Sequence, residues 1–233
     1  MYRQSATGGF ASIFDQADTS GATIAAFRQL DPLLALEQIA THRSFARDQD
    51  IYADGDVSDC WYRVVSGAVR ICKLLADGRR QITEFCFAGD YFGLPLAGIR
   101  AFSAEAVGDV VVMRYPQRAA DRLMDENPRL TRGLYDRTLR ELSSAQARMF
   151  LLGRMTASER VASFLLEIFR RRDARRALDL PMSRNDIADY LGLTIETVCR
   201  VLSAFRREDV IAIPAPHRIE LRNREALESL VEA

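Results

Sequence analysis

Lysine is almost missing from this sequence: Lys73 is the only one among 32 basic side chains, and the rest are arginine. Arginine offers a planar fork that grips phosphate and guanine in a way lysine does not. No excess of one charge sign exists, because 32 acidic side chains bring the formal net charge to zero. Charge balance alone therefore points to no anionic partner. Cys60, Cys72, Cys86 and Cys199 are far apart and form no C-x-x-C pair. That spacing argues against a disulfide framework or a zinc site and suits a reduced compartment. Histidine is as scarce, and the β-rich part of the chain carries only His42. That scarcity argues against a catalytic roll of cupin type, which needs a His/carboxylate metal cluster. No apolar run approaches a membrane span, and "MYRQSATGGFASIFDQ" has no signal-peptide core. The expected setting is cytoplasmic, away from any membrane.

What is present is a chain of two textures. Residues 1–24 are polar and rich in Gly, Ser and Thr, as in a loose arm. "TIAAFRQLDPLLALEQIA" has helical periodicity broken at Pro32. Turn glycines then recur at Gly55, Gly67, Gly78 and Gly89, separated by "CWYRVVS", "AVRICKLL" and "RQITEFCF", with "DVVVMRY" further on. Short β-rich runs between turn glycines predict an antiparallel roll or sandwich. Asp77-Gly78 is a hairpin signal.

At Pro116 the pattern changes to helix. Asn127-Pro128 form a cap and first-turn pair for a long helix to about Leu152. Within it Tyr135, Thr138, Leu142, Ala145, Met149 and Leu152 follow the alternating spacing of a coiled-coil seam, with Leu139 beside it. Such a stripe suits either the chain's own β-domain or a second copy, and the helix's length favours the copy. Thr156-x-x-Glu159 fits a capping box and restarts a helix; the run "RRRDARR" after it is expected to be a solvated helix end.

The stretch "SRNDIADYLGLTIETVCRVLSAF" carries the chemistry. Ser183 and Asp186 form a capping-box variant. Gly192 can stop the first helix in a left-handed conformation, and Thr194 can cap a second. Ala188, Gly192 and Val198 supply the small, turning and β-branched residues that a helix-turn-helix needs where its helices cross. The face left open holds Ile195, Glu196, Cys199 and Arg200. Glu196 and Arg200 are one turn apart and suit an exposed ion pair. They also suit base reading: Arg binds guanine O6 and N7 together, and Glu accepts from cytosine N4. "VIAIPAPHRIELRN" predicts a two-stranded wing, with Arg218 and Arg222 as phosphate contacts and His217 as a turn residue.

"YRVVSGAVRI", "FAGDYFGLPLAG", "LGRMTASERVASFLLEI", "LPMSRNDIADYLGLTIETVCRVLSAF" and the wing occur in the order found in one family. Over nearly its whole length the chain resembles the cyclic-AMP receptor protein and fumarate–nitrate reductase regulator superfamily, nearest the FixK-type rhizobial regulators. The resemblance implies an α+β fold: an N-terminal antiparallel β-roll (jelly roll), a long dimerisation helix and a C-terminal winged helix-turn-helix. The expected divisions are an arm at 1–24, the roll at 25–115, the dimerisation region at 116–152 and the DNA-binding domain at 153–233. The chain would be no enzyme but a homodimeric regulator, an activator that binds a palindrome of TTGA-like half-sites in double-stranded DNA and recruits RNA polymerase. Glu196 and Arg200 fall on the family's base-reading positions, with Cys199 and Ile195 beside them. Ser183, Thr194, Thr197 and Arg218 are expected at phosphates. Cys199 is also a candidate for redox control, as a thiol near a helix N-terminus.

The departures from that family are specific. Its cyclic-nucleotide binders carry a Glu after the Gly-Asp turn and an Arg-Ser pair for the cyclic phosphate. Here Leu94 takes the place of the Glu, and Phe102 precedes Ser103. The iron–sulfur branch needs N-terminal cysteines, and residues 1–59 contain none. No cofactor or metal is therefore expected, and the roll is read as an effector-free scaffold. The alternative is a member gated by an unrecognised small molecule in the roll.

Overall fold

Two four-stranded antiparallel sheets form the first half of the chain. A computed structural model describes residues 32–94 and 98–232. The arm expected at 1–24 lies outside the described residues. After a 3-10 helix at Pro32–Ile39, the strands are β1 (Thr41–Phe45), β2 (Asp50–Tyr52), β3 (Cys60–Ser66), β4 (Ala68–Leu74), β5 (Arg80–Phe87), β6 (Tyr91–Phe92), β7 (Ser103–Ala106) and β8 (Val110–Pro116). One sheet has the order β1-β8-β3-β6 and the other β2-β7-β4-β5. Ile51, Val64, Val69, Cys86, Ala104 and Val112 fill the space between them.

Helix α1 (Gln117–Glu126) leads to α2 (Pro128–Arg154), whose cap is Asn127, with Pro128 in its first turn. The Asn127 side chain accepts from the amides of Arg129 and Leu130. Helix α3 (Ala157–Arg171) starts at the expected capping box of Thr156 and Glu159. Then come β9 (Ala177–Asp179), α4 (Arg184–Leu191), α5 (Ile195–Arg207), β10 (Ile211–Ala215), β11 (Arg218–Leu221) and α6 (Arg224–Glu232). The last three strands form a small sheet of order β10-β11-β9. The expected α+β class, with roll, long helix and winged helix-turn-helix, is the one the chain forms.

Strand β4 is buried along almost its whole length, which is why "AVRICKLL" lacks the alternation of a half-exposed strand. Its residues divide between two cores. Val69 and Ile71 belong to the interior of the roll, and Ala68 and Cys72 to a second core. That second core joins Ile82, Phe85 and Phe87 of β5 to Val161, Phe164 and Leu165 of α3 and to Tyr190 and Leu191 of α4. Phe85 lies against Tyr190 and Phe164, with ring centroids 5.2 Å and 6.5 Å away. The roll and the C-terminal half thus share a hydrophobic core. One expectation fails here. Arg171, in the run taken as a solvated helix end, is mostly buried: it pairs with Asp90 and lies over the Phe87 ring. The rest of that run, Arg172, Arg175 and Arg176, is exposed.

Candidate nucleic-acid interface

The helix-turn-helix is set by its caps. Ser183 Oγ accepts from the Asp186 amide at 3.1 Å, and Asp186 Oδ2 accepts from the Ser183 amide at 3.0 Å. Two otherwise unpaired donors at the start of α4 are thereby satisfied. Gly192 ends α4 at φ 62°, ψ 39°, the left-handed region that glycine enters at little cost. Thr194 then caps α5, accepting from the Thr197 amide at 3.3 Å. Ile187, Ala188 and Leu191 of α4 and Val198, Val201, Leu202 and Phe205 of α5 are buried against each other and the shared core.

What this packing leaves outside is the first two turns of α5. Ile195 is 39% exposed, and Glu196, Cys199 and Arg200 are exposed beside it. Glu196 and Arg200 do not pair with each other, contrary to one sequence expectation. Arg200 instead donates to Thr197 Oγ1 at 3.4 Å. The Glu196 carboxyl is held below its ordinary range, by its own backbone amide first and then by Thr194. It is therefore ionised at neutral pH and ready to accept a hydrogen bond. Cys199 is a free, exposed thiol, whereas Cys60, Cys72 and Cys86 are buried.

The other expected contacts surround this face. Thr194 is exposed, and its hydroxyl lies 3.2 Å from that of the half-buried Thr197. Ser183 is exposed, yet its hydroxyl also donates to Asp186 Oδ2 at 2.8 Å. On the wing, Arg218 faces Asp179 at 3.2 Å and Arg222 faces Glu220 at 3.3 Å. DNA phosphates would compete with these exposed carboxylates for the guanidinia. His217 is exposed, and its carbonyl accepts from the Leu180 amide at 2.7 Å. Sequence reasoning passed over Arg184. It opens α4, donates to the Pro216 carbonyl at 3.0 Å and ties the helix-turn-helix to the wing. Its place directly after the cap was the available signal.

In the roll, aromatic side chains of β2, β3 and β6 pack together. Tyr52, Tyr62 and Phe92 stack with centroids 5.2–6.2 Å apart. Arg100 is buried, lies over the Tyr52 ring at 4.2 Å, and donates to the carbonyls of Gly93 and Cys60. Its charge is turned inward. Phe102 is 40% exposed near Lys73, and the Ser103 hydroxyl accepts from the Asp54 amide at 3.0 Å. Leu94 is half-buried against the core around Trp61 and Tyr115. His42 is exposed on edge strand β1. Among the described residues no His, Cys, Asp and Glu cluster is arranged to hold a metal, and no helix is long and apolar enough to cross a membrane.

Helix α2 has 27 residues, of which only Leu130 is buried. Tyr135, Leu139, Leu142, Met149 and Leu152 are exposed, Met149 by 75%. Thr138 is exposed and Ala145 half-buried on the same stripe. The described part of the chain leaves this seam uncovered. A neighbouring side of α2 reaches the roll through Arg137, 3.3 Å from Asp90.

The sequence matches the model of the Crp-like helix-turn-helix domain over residues 159–230 and that of the cyclic nucleotide-binding domain over residues 42–127. It is 42% identical over 212 residues to the nitrogen fixation regulation protein FixK of Azorhizobium caulinodans, covering 89% of this chain and 86% of that one. It is 36% identical over 198 residues to the transcriptional activator protein FnrL of Cereibacter sphaeroides, covering 81% and 79%. The solved structure of FixK2 from Bradyrhizobium japonicum superposes with a TM-score of 0.80 at 43% identity, covering 82% of this chain and 97% of that one.

Proposed function

Because the chain belongs to the FixK-type DNA-binding transcription regulators of the cyclic-AMP receptor protein and fumarate–nitrate reductase regulator superfamily, we propose that it binds a palindrome of TTGA-like half-sites as a homodimer, without a small-molecule effector. The observation that carries this reading is the exposed start of α5. Ile195, Glu196, Cys199 and Arg200 face outward, while Val198, Val201, Leu202 and Phe205 pack into a core. Helix-turn-helix proteins set the beginning of their second helix against base edges in the major groove. Arg200 reads guanine, Glu196 its paired cytosine, and Cys199 and Ile195 meet the neighbouring base. Ser183, Thr194, Thr197 and Arg218 hold phosphates around that groove, and they fix register rather than sequence.

Two copies join along Tyr135, Thr138, Leu142, Ala145, Met149 and Leu152 of α2. The stripe is mostly apolar and exposed, and it runs about 26 Å along the helix at the usual rise per residue. The departures at Leu94 and Phe102 and the inward-turned Arg100 support an effector-free scaffold, because a cyclic phosphate needs a free cation. The nitrogen-fixation regulators among its relatives favour an activator that recruits RNA polymerase in the cytoplasm. The test is a gel shift with purified protein and a TTGA palindrome. Retardation without added nucleotide, iron or sulfide is expected. Retardation that appears only after one of them is added would restore the ligand-gated alternative.

A further inference from the structure

Arg70 and Arg80 belong to the roll, yet both end on the first helix of the DNA reader. Asp186 is their meeting point. Its Oδ2 serves the cap of α4, while its Oδ1 accepts from Arg80 Nη2 at 2.6 Å and from Arg70 Nη1 at 3.3 Å. Arg80 also donates from Nε to Asp189 Oδ2 at 2.9 Å, and Gln81 Nε2 donates to the Asp189 carbonyl at 2.7 Å. Glu105 on β7 lies 2.6 Å from Arg70 and 3.6 Å from Arg80, and Asp48 adds a third carboxylate to Arg70. The Asp186 side chain is 5% exposed and that of Arg70 is 8% exposed. The carboxylate that caps the first helix of the reader is therefore gripped by two arginines of the roll. Charge-assisted bonds at such burial are directional and shielded from solvent. Phe85, Phe164 and Tyr190 pack together in the shared core between the same elements.

A contact that kept the reader out of use would cover its reading face. This one engages Asp186, Asp189 and Tyr190 and leaves Ile195, Glu196, Cys199 and Arg200 exposed. We infer that Arg80, supported by Arg70 and Gln81, is a positioning residue for DNA recognition. It locks α4 to the roll and, because the roll is also fixed to α2, sets the separation and tilt of the two recognition helices in the dimer. The inference rests on the dimeric, palindrome-binding reading above.

The test uses full-length Arg80→Gln, Asp189→Asn and the double variant. Affinity is measured on the native palindrome, on the palindrome lengthened by a single base pair between half-sites, and on one with a substituted half-site base. Discrimination between the two spacings should fall roughly 5- to 10-fold in each single variant. The double variant should fall no further than Arg80→Gln, since that change alone already removes the contact to Asp189. Discrimination against the substituted base should stay at the wild-type level, because α5 is untouched. Arg80→Lys should recover part of the spacing discrimination. If Arg80→Gln does not fold, Asp189→Asn carries the same expectation from the other end of the contact. Variants that keep wild-type spacing discrimination overturn the inference. So does tighter binding of the native palindrome, which would mean that the contact restrains the reader. Loss of base and spacing discrimination together would also overturn it, since that marks damage to the reader itself. Wild-type protein that ignores spacing would overturn both this inference and the dimeric reading.

Discussion

At the scale of single residues, the proposed specificity rests on Glu196 and Arg200. They stand free of each other, so neither must break a mutual pair before meeting a base. Arg200→Ala should relax the preference for one guanine by roughly 1–3 kcal/mol, and Glu196→Ala the preference for its paired cytosine. Competition binding against substituted half-sites checks this. Equal weakening on cognate and random DNA would show that neither residue reads a base. Cys199 is exposed beside them, so peroxide should weaken DNA binding, and Cys199→Ala should abolish that sensitivity. Sensitivity that survives in Cys199→Ala would move the chemistry to another cysteine. This reading face was legible in the sequence, because caps, a turn glycine and helical spacing are all local signals. The grip of Arg80 on Asp186 was not. The two residues are 106 positions apart, and no periodicity announces a contact between a hairpin and a distant helix.

Elements show the same division. The strands rich in β-branched and aromatic residues were legible, but "THRSF", "DIY" and "SAEA" also became strands, through pairing with longer neighbours. Turn glycines differ in what they protect. Gly67, between β3 and β4, has φ +86°, and a Cβ there would lie 2.4 Å from the Asp109 carbonyl oxygen. Gly192 has φ +62° with only ordinary contacts around it. Gly192→Ala should therefore cost about 1–2 kcal/mol, the penalty of the left-handed conformation alone. Gly67→Ala should cost more, because a backbone carbonyl must also move. Chemical denaturation of the two variants checks the order, and equal losses would contradict it. Between β5 and α2, burial first and then the neighbouring Glu141 push the Glu84 carboxyl up to about 8, against the opposing pull of Arg148 on α2 and Arg171 on α3. The unfolded chain ionises near pH 4.5 while the folded chain keeps its proton. This group's contribution therefore falls as pH rises from about 4.5 to about 8, and above that the loss stops growing. Glu84→Gln should flatten the decline, as melting temperatures across that range would show. An unchanged slope would place the effect elsewhere.

For the whole molecule the decisive quantity is the distance between two reading faces. A palindrome read on one side of the duplex needs two recognition helices roughly 34 Å apart, one turn of DNA. A single chain supplies one, so the proposed reading needs a second copy, which the seam of the long helix would bring in. Its seam was legible from spacing alone, and the sequence left open whether it packs on the chain's own roll or on a copy. The described residues leave the seam exposed while a neighbouring side of α2 is tied to the roll, which favours the copy. Leu142 is central in that stripe and 54% exposed in the single chain. An aspartate there costs the isolated chain little, because water solvates it. In the dimer it would face the seam as a buried, unpaired charge, a penalty large enough to dissociate the pair. Leu142→Asp should therefore sediment as a folded monomer with wild-type circular dichroism and should lose binding to the full palindrome. A variant that remains dimeric and binds DNA would place the seam on another surface of the molecule.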